Sequence, residues 1–142
     1  MKMLTKITTC TAAAVVMALA MLPAGAHHST AAFETGRVLK ITGTVTQFRW
    51  INPHASFKVD GGAAGDTSGL WTIEMTAPNV LINQGWTRDA LKVGDKVTIY
   101  VNPLRNQVEL NDGSRGSLYV GVVLADGKTL GRTDGQGSGT SN

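Results

Sequence analysis

The stretch "LWTIEMTAPNVLINQG", residues 70–85, changes its hydrophobic period halfway. In its first six residues Trp71, Ile73 and Met75 alternate with Leu70, Thr72 and Glu74, the period of two that lays one face of a strand against a core. From Thr76 the alternation stops. Thr76 is placed to cap a helix, Pro78 falls in its first turn and Gly85 follows its last, so a short helix is expected directly after a strand.

Upstream, "RVLKITGTVTQFRW" (residues 37–50) reads as one long strand. Leu39, Ile41 and Val45 share a face by period two, but Phe48 and Trp50 fall on the other, which calls for a bulge or sharp coil, with Gly43 the expected bend. After the turn "NPH", "ASFKV" puts Ala55, Phe57 and Val59 together, and His54 opens that strand on its polar side. The glycine-rich "DGGAAGDTSG" (60–69) reads as an exposed hairpin connection and lacks the Gly-Lys-Ser/Thr of a phosphate loop. Downstream of the helix, "TRDALKVGDK" turns into "VTIYV", with Val97, Ile99 and Val101 inward. "LYVGVVL" then pairs with "KTL" across Asp126-Gly127. Three strands, a short helix and two further strands is the order of an oligonucleotide/oligosaccharide-binding (OB) barrel. The expected fold is therefore mainly β: a five-stranded OB-like barrel over 37–131 with one short helix between strands 3 and 4. A β-sandwich is the rival.

The amino-terminal end reads as an export signal. Lys2 and Lys6 precede an unbroken apolar run from Ala12 to Leu22, and Ala24-Gly25-Ala26 gives the small-x-small pattern of a cleavage site. That run stops at Pro23, short of the roughly 18 apolar residues a membrane span requires. The expected organisation is a signal peptide at 1–26, an arm at 27–36, the barrel, and a disordered tail at 132–142, whose "RTDGQGSGTSN" holds no apolar residue. Cleavage removes two of the 13 Lys and Arg and leaves the rest nearly balanced by 10 Asp and Glu, too even for a nucleic-acid-binding field. It also removes Cys10, the single cysteine, so the mature domain is held by packing alone.

"AHHS" at the cleavage site, "WINPH" at the end of the first strand, "GWTRDALKVGD" and "LADGKTL" together resemble a family of small exported bacterial proteins catalogued as a domain of unknown function. The resemblance runs from His27 to about Leu130. It implies export to the periplasm and a compact β-rich domain, and carries over no activity.

Cleavage after Ala26 makes His27 the new amino terminus. Its α-amine and Nδ1 can close a chelate ring on one metal ion, and both groups lie near their deprotonation range at neutral pH, at about 7.7–8.0 and 6.5. Among common divalent ions such nitrogen ligands favour copper(II). The arrangement resembles the histidine brace of copper monooxygenases and of some periplasmic copper carriers. A brace needs a further imidazole, and His54 is the candidate outside the arm. His27, His28 and His54 are therefore the candidate metal ligands and copper the candidate cofactor. The same residues fit a solvated arm and a histidine bonded to its own turn backbone. Met75 is the one methionine after the signal, which argues against copper(I) carriage.

Trp50, Trp71 and Trp86 are expected to complete the core rather than line a groove. Glu74 and Asp89 read as solvated charges or helix caps. Ser29, Ser56 and Ser68 lack the setting of a nucleophile. The expectation is thus a soluble periplasmic binding or accessory domain, not an enzyme, with copper at its terminal histidines. The alternatives are a metal-free structural or partner-binding module and a small-ligand-binding barrel. Its partner is an unidentified periplasmic protein or small ligand, without nucleic acid and without stable membrane insertion once the signal is removed.

Overall fold

A computed structural model describes residues 30–64 and 68–135. Six strands, β1 (Leu39–Arg49), β2 (Ser56–Ala63), β3 (Gly69–Glu74), β4 (Lys96–Pro103), β5 (Arg115–Val123) and β6 (Thr129–Gly131), form one sheet in the order β3-β2-β1-β4-β5-β6. All neighbours in that order are antiparallel. A parallel ladder between Trp71–Glu74 of β3 and Arg115–Leu118 of β5 closes the ring. Over Gly121–Val123 the edge of β5 freed by the end of β3 is taken by β6. Strands β1 to β5, closed in the sequence 1-2-3-5-4-1 with helix α1 (Pro78–Asn83) between β3 and β4, are the OB barrel expected from the order of elements. The barrel excludes the sandwich.

Strand β1 serves two partners, pairing β4 over Leu39–Thr44 and β2 over Ile41–Arg49. Its change of face is made by a bulge between Val45 and Gln47, not by Gly43. The extra residue, Thr46, shifts the parity, so Ile41 and Val45 before it and Phe48 and Trp50 after it all turn to the core. The bulge is held from outside: Val45 donates its N–H to Asp95 and accepts one from Gly94, which explains the "VGD" turn. Gly43 has a different task. It lies opposite Gly61, and a Cβ on Gly43 would come within 2.6 Å of Val59 Cγ1 and overlap the Asp60 carbonyl oxygen. Two strands can approach this closely only without side chains between them.

The inward positions expected from alternation are buried throughout: Ala55, Phe57 and Val59; Trp71, Ile73 and Met75; Val97, Ile99 and Val101. Trp86 is 1% exposed and forms the aromatic floor, with ring centroids 5.3 Å from Tyr119, 6.2 Å from Phe48 and 6.4 Å from Phe57. Helix α1 contributes Leu81 to the same end, and the backbone N–H of Trp86 donates back to the Leu81 carbonyl.

Two boundaries differ from the sequence expectation, and the arm has contacts the sequence did not show. Ala77, not Thr76, caps α1, without a side-chain bond; Thr76 instead lies just past β3, its carbonyl accepting the Ala55 N–H. Strand β2 runs on to Ala63 inside the glycine-rich stretch, because Asp60 and Gly61 pair with both neighbours. The described part of the arm packs on the barrel. Phe33 is buried and bridges to Leu104, while the buried Asn102 amide donates to the Thr35 and Arg37 carbonyls at 3.4 and 2.7 Å. Residues 136–142 of the expected tail lie outside the described residues.

Candidate functional site

Of the three histidines singled out in the sequence, His27 and His28 lie outside the described residues. His54 follows the Asn52–Pro53 turn and sits at the mouth of β2. Its Nδ1 is 2.8 Å from Oε1 of Glu74, at the end of β3, and both side chains are part-exposed, at 41% and 32%. The β2–β3 register explains the meeting. Ser56 lies opposite Glu74, and the main chain of Ala55 is bonded to both Met75 and Thr76, so the residue before Ala55 is delivered beside Glu74. Glu74 is thus neither a solvated charge nor a helix cap. Alternation had placed it outward; only the register of two strands could show what it would face there.

A carboxylate beside one imidazole nitrogen leaves the other, Nε2, as the atom that can ligate, although Nδ1 and Glu74 meet here in distance without the alignment of a hydrogen bond. On a part-exposed surface the same pair contributes little to stability. Among the described residues no group of three His, Cys, Asp or Glu side chains is close enough to hold a metal. His54 with Glu74 is therefore not a metal site by itself, and any site there would need ligands from elsewhere.

The described end of the arm borders a cleft. This open cleft, of about 530 Å³, is lined by Thr30, Thr35, Met75, Thr76, Asn102 and Leu118 among others. Thr30 is the first described residue, three positions after His27, and Thr76 is bonded to the residue that follows His54. The chain leading to the amino terminus and the segment that follows β3 thus border one cleft, which neither His54 nor β2 lines.

The remaining candidates fall into the core or the surface. Trp71 and Trp86 are buried, and Trp50 stacks edge-on to Phe48 at 5.9 Å, so the tryptophans build the interior as expected. The Arg115 guanidinium lies 4.9 Å over the Trp71 ring. Asp89 is exposed in the turn after Trp86, and Ser56 faces out between Arg49 and Glu74. No helix among the described residues is long and apolar enough to cross a membrane.

Among solved structures, the chain is similar to a mitochondrial single-stranded DNA binding protein from S. cerevisiae, Rim1, at 13% identity and a TM-score of 0.43, covering 61% of this chain and 92% of that one. No curated protein matches it. A family pattern does match, over residues 14–112, ending just before the strand that closes the barrel. The chain belongs to that family, a family of unknown function (DUF6152).

Proposed function

We propose that the chain is an exported, soluble periplasmic binding domain without enzymatic activity, and that its mature amino terminus holds copper(II). In this reading the α-amine and Nδ1 of His27 chelate the ion, and Nε2 of His54 supplies the second imidazole. His28 stands beside the chelate as a third nitrogen donor. The observation that carries the reading is the 2.8 Å approach of His54 Nδ1 to Glu74, which puts a carboxylate where metal-binding histidines ordinarily have their outer-shell partner. The site requires that His54 lie within reach of the residues before Thr30. Three residue steps lead from Thr30 back to His27, and at about 3.3 Å each they span about 10 Å.

The test is a copper(II) titration of protein exported and processed to begin at His27, set against the same protein carrying one Met before His27. The extra residue removes the amine chelate and leaves all three imidazoles. Affinity is expected to fall tenfold or more, about 1.4 kcal/mol per decade. His54→Ala should weaken binding by less, and Glu74→Gln by less again. Equal affinity with and without the preceding Met refutes the site.

A metal-free partner-binding module is the second reading, favoured by Val80 and Ile82, which leave α1 with large apolar side chains 41% and 59% exposed.

A further inference from the structure

We propose that the cleft at which β5 changes partners is a binding site for a medium-chain organic carboxylate, with its headgroup on Arg132 and its tail against Leu118 and Tyr119. Strand β5 pairs with β3 up to Leu118 and with β6 from Gly121. Its two partners diverge between these points. The chain of β3 runs on through Met75 and Thr76 toward α1, while β6 arrives with Gly131 and Arg132, and Thr30 and Thr35 of the arm border the gap between them. The opening is the cleft of about 530 Å³, within the range of small-ligand sites. No residue of β1, β2 or β3 lines it.

Arg132 is fixed in place by its backbone. Its N–H donates to the Val120 carbonyl at 2.9 Å, and one residue earlier on the other side of Gly131 the Leu130 carbonyl accepts the Tyr119 hydroxyl at 2.7 Å. Two glycines permit so close an approach. Gly131 takes a φ of 72°, and a Cβ on Gly121 would overlap the Arg132 carbonyl. The first residue of a polar tail is thus held against the barrel, and none of the ion pairs among the described residues uses its guanidinium. A ligand entering the cleft need not order the backbone that carries Arg132, which removes one cost of binding.

The lining selects the ligand class. Among the described residues that line the cleft Arg132 alone carries charge, and a guanidinium holds a carboxylate through two parallel N–H···O bonds. The carbonyls at the end of α1 that would repel an anion are already bonded: Leu81 accepts from the Gln84 and Trp86 N–H groups and Ile82 from that of Gly85. Met75, Leu118, Tyr119 and Val120 supply an apolar stretch for a hydrocarbon tail, Leu118 and Tyr119 being half-buried. Phosphodiester chains are disfavoured, because a single cation neutralises too few phosphates. Extended peptides are disfavoured as well. The edge of β5 is taken by β3 as far as Leu118 and by the Arg132 N–H at Val120, so it offers no ladder for strand addition. His54 does not line the cleft and binding here needs no metal, so this site stands or falls apart from the copper reading.

The experiment is amide NMR on the metal-free processed protein at neutral pH with octanoate and hexanoate, and with 1-octanol, octylammonium and an apolar hexapeptide amide as separate arms. Octanoate is expected to shift the Leu118, Tyr119, Gly131 and Arg132 signals with a Kd on the order of 0.1 mM, and 1-octanol to bind at least tenfold more weakly. Hexanoate, with two fewer CH₂ groups to bury, should also lose about tenfold. Arg132→Gln should weaken octanoate binding tenfold or more, leave 1-octanol binding as in the parent, and leave the melting temperature unchanged, since the side chain is exposed and the backbone bond to Val120 is kept. The proposal is overturned if octanoate leaves these signals unmoved, if hexanoate, 1-octanol, octylammonium or the peptide binds as tightly as octanoate, or if Arg132→Gln binds octanoate as well as the parent.

Discussion

Replacing Gly43 with alanine tests the barrel at its tightest point. The added methyl would face inward, 2.6 Å from Val59 Cγ1 and 2.8 Å from the Gly61 Cα, and would overlap the Asp60 carbonyl oxygen. Side chains can yield to a new methyl, but a carbonyl within a strand ladder moves only with its strand. The cost therefore falls near the top of the overpacking range, about 3 kcal/mol. Alanine also restricts the unfolded chain, which returns about 0.4–1 kcal/mol. The net loss is about 2 kcal/mol, and at about 4–8 °C per kcal/mol for a domain of this size the melting temperature should drop by roughly 8–16 °C. Thermal circular dichroism reads this directly. Gly36→Ala is the control: its Cβ meets nothing within 4 Å, so it keeps the unfolded-state benefit without the clash and should melt at or slightly above the parent temperature. A Gly43→Ala protein melting alongside Gly36→Ala would refute the claim that the β1–β2 crossing requires bare backbone.

Two pH effects follow from the same structure. Burial pushes the Tyr119 hydroxyl above its ordinary value of about 10, so its contribution is complete below pH 10 and is lost as pH rises through the folded-state value. Subtracting the 295 nm titration of Tyr119→Phe from that of the parent should show no ionisation of Tyr119 at pH 11 in folded protein; ionisation near pH 10 would contradict its packing under Trp86. The hydrogen bond from Lys58, reinforced by those from Ser114, holds the Asp112 carboxyl well below its ordinary range, so this clamp of the β4–β5 loop on β2 is present above about pH 3.9 and is lost only as pH falls through the lower folded-state value. Carboxyl carbon NMR should find a midpoint well under 3.9 that moves back toward it in Lys58→Met; a parent midpoint near 3.9 would mean that the loop is not clamped.

The fold was legible because its inward residues alternate cleanly. Trp71, Ile73 and Met75, then the Pro78–Gly85 punctuation, mark the passage from strand to helix, and that passage separates this barrel from most other arrangements of five strands. The bulge was foreseen but misplaced. Parity requires an extra residue somewhere between Val45 and Phe48 and does not favour Gly43, whose lack of side chain answers a contact with a distant strand. Thr76 shows the same limit, since a good capping residue was claimed by a bond to Ala55. Leu104–Ser114 has no period at all, so the contact of Asp112 with Lys58 of β2 could not be seen in it. At the candidate metal site, chemistry alone pointed to His54. Its partner Glu74 was hidden, because a pair 20 residues apart becomes a pair only through strand register.

The ladder that joins β3 to β5 has a consequence for the fate of the chain. Until residues 115–118 are in place, β3 and β4 each carry a bare row of N–H and C=O groups, the kind of edge that recruits strands from other molecules. A polypeptide that leaves the cell interior amino terminus first would deliver its histidines long before its barrel could shut. A single proteolytic cut in the exposed Val108–Gly113 segment would leave the ring whole only while the severed β5 and β6 stayed docked. Once they were lost, the remainder would be an open sheet with two adhesive margins, its natural end aggregation and disposal rather than a smaller working domain.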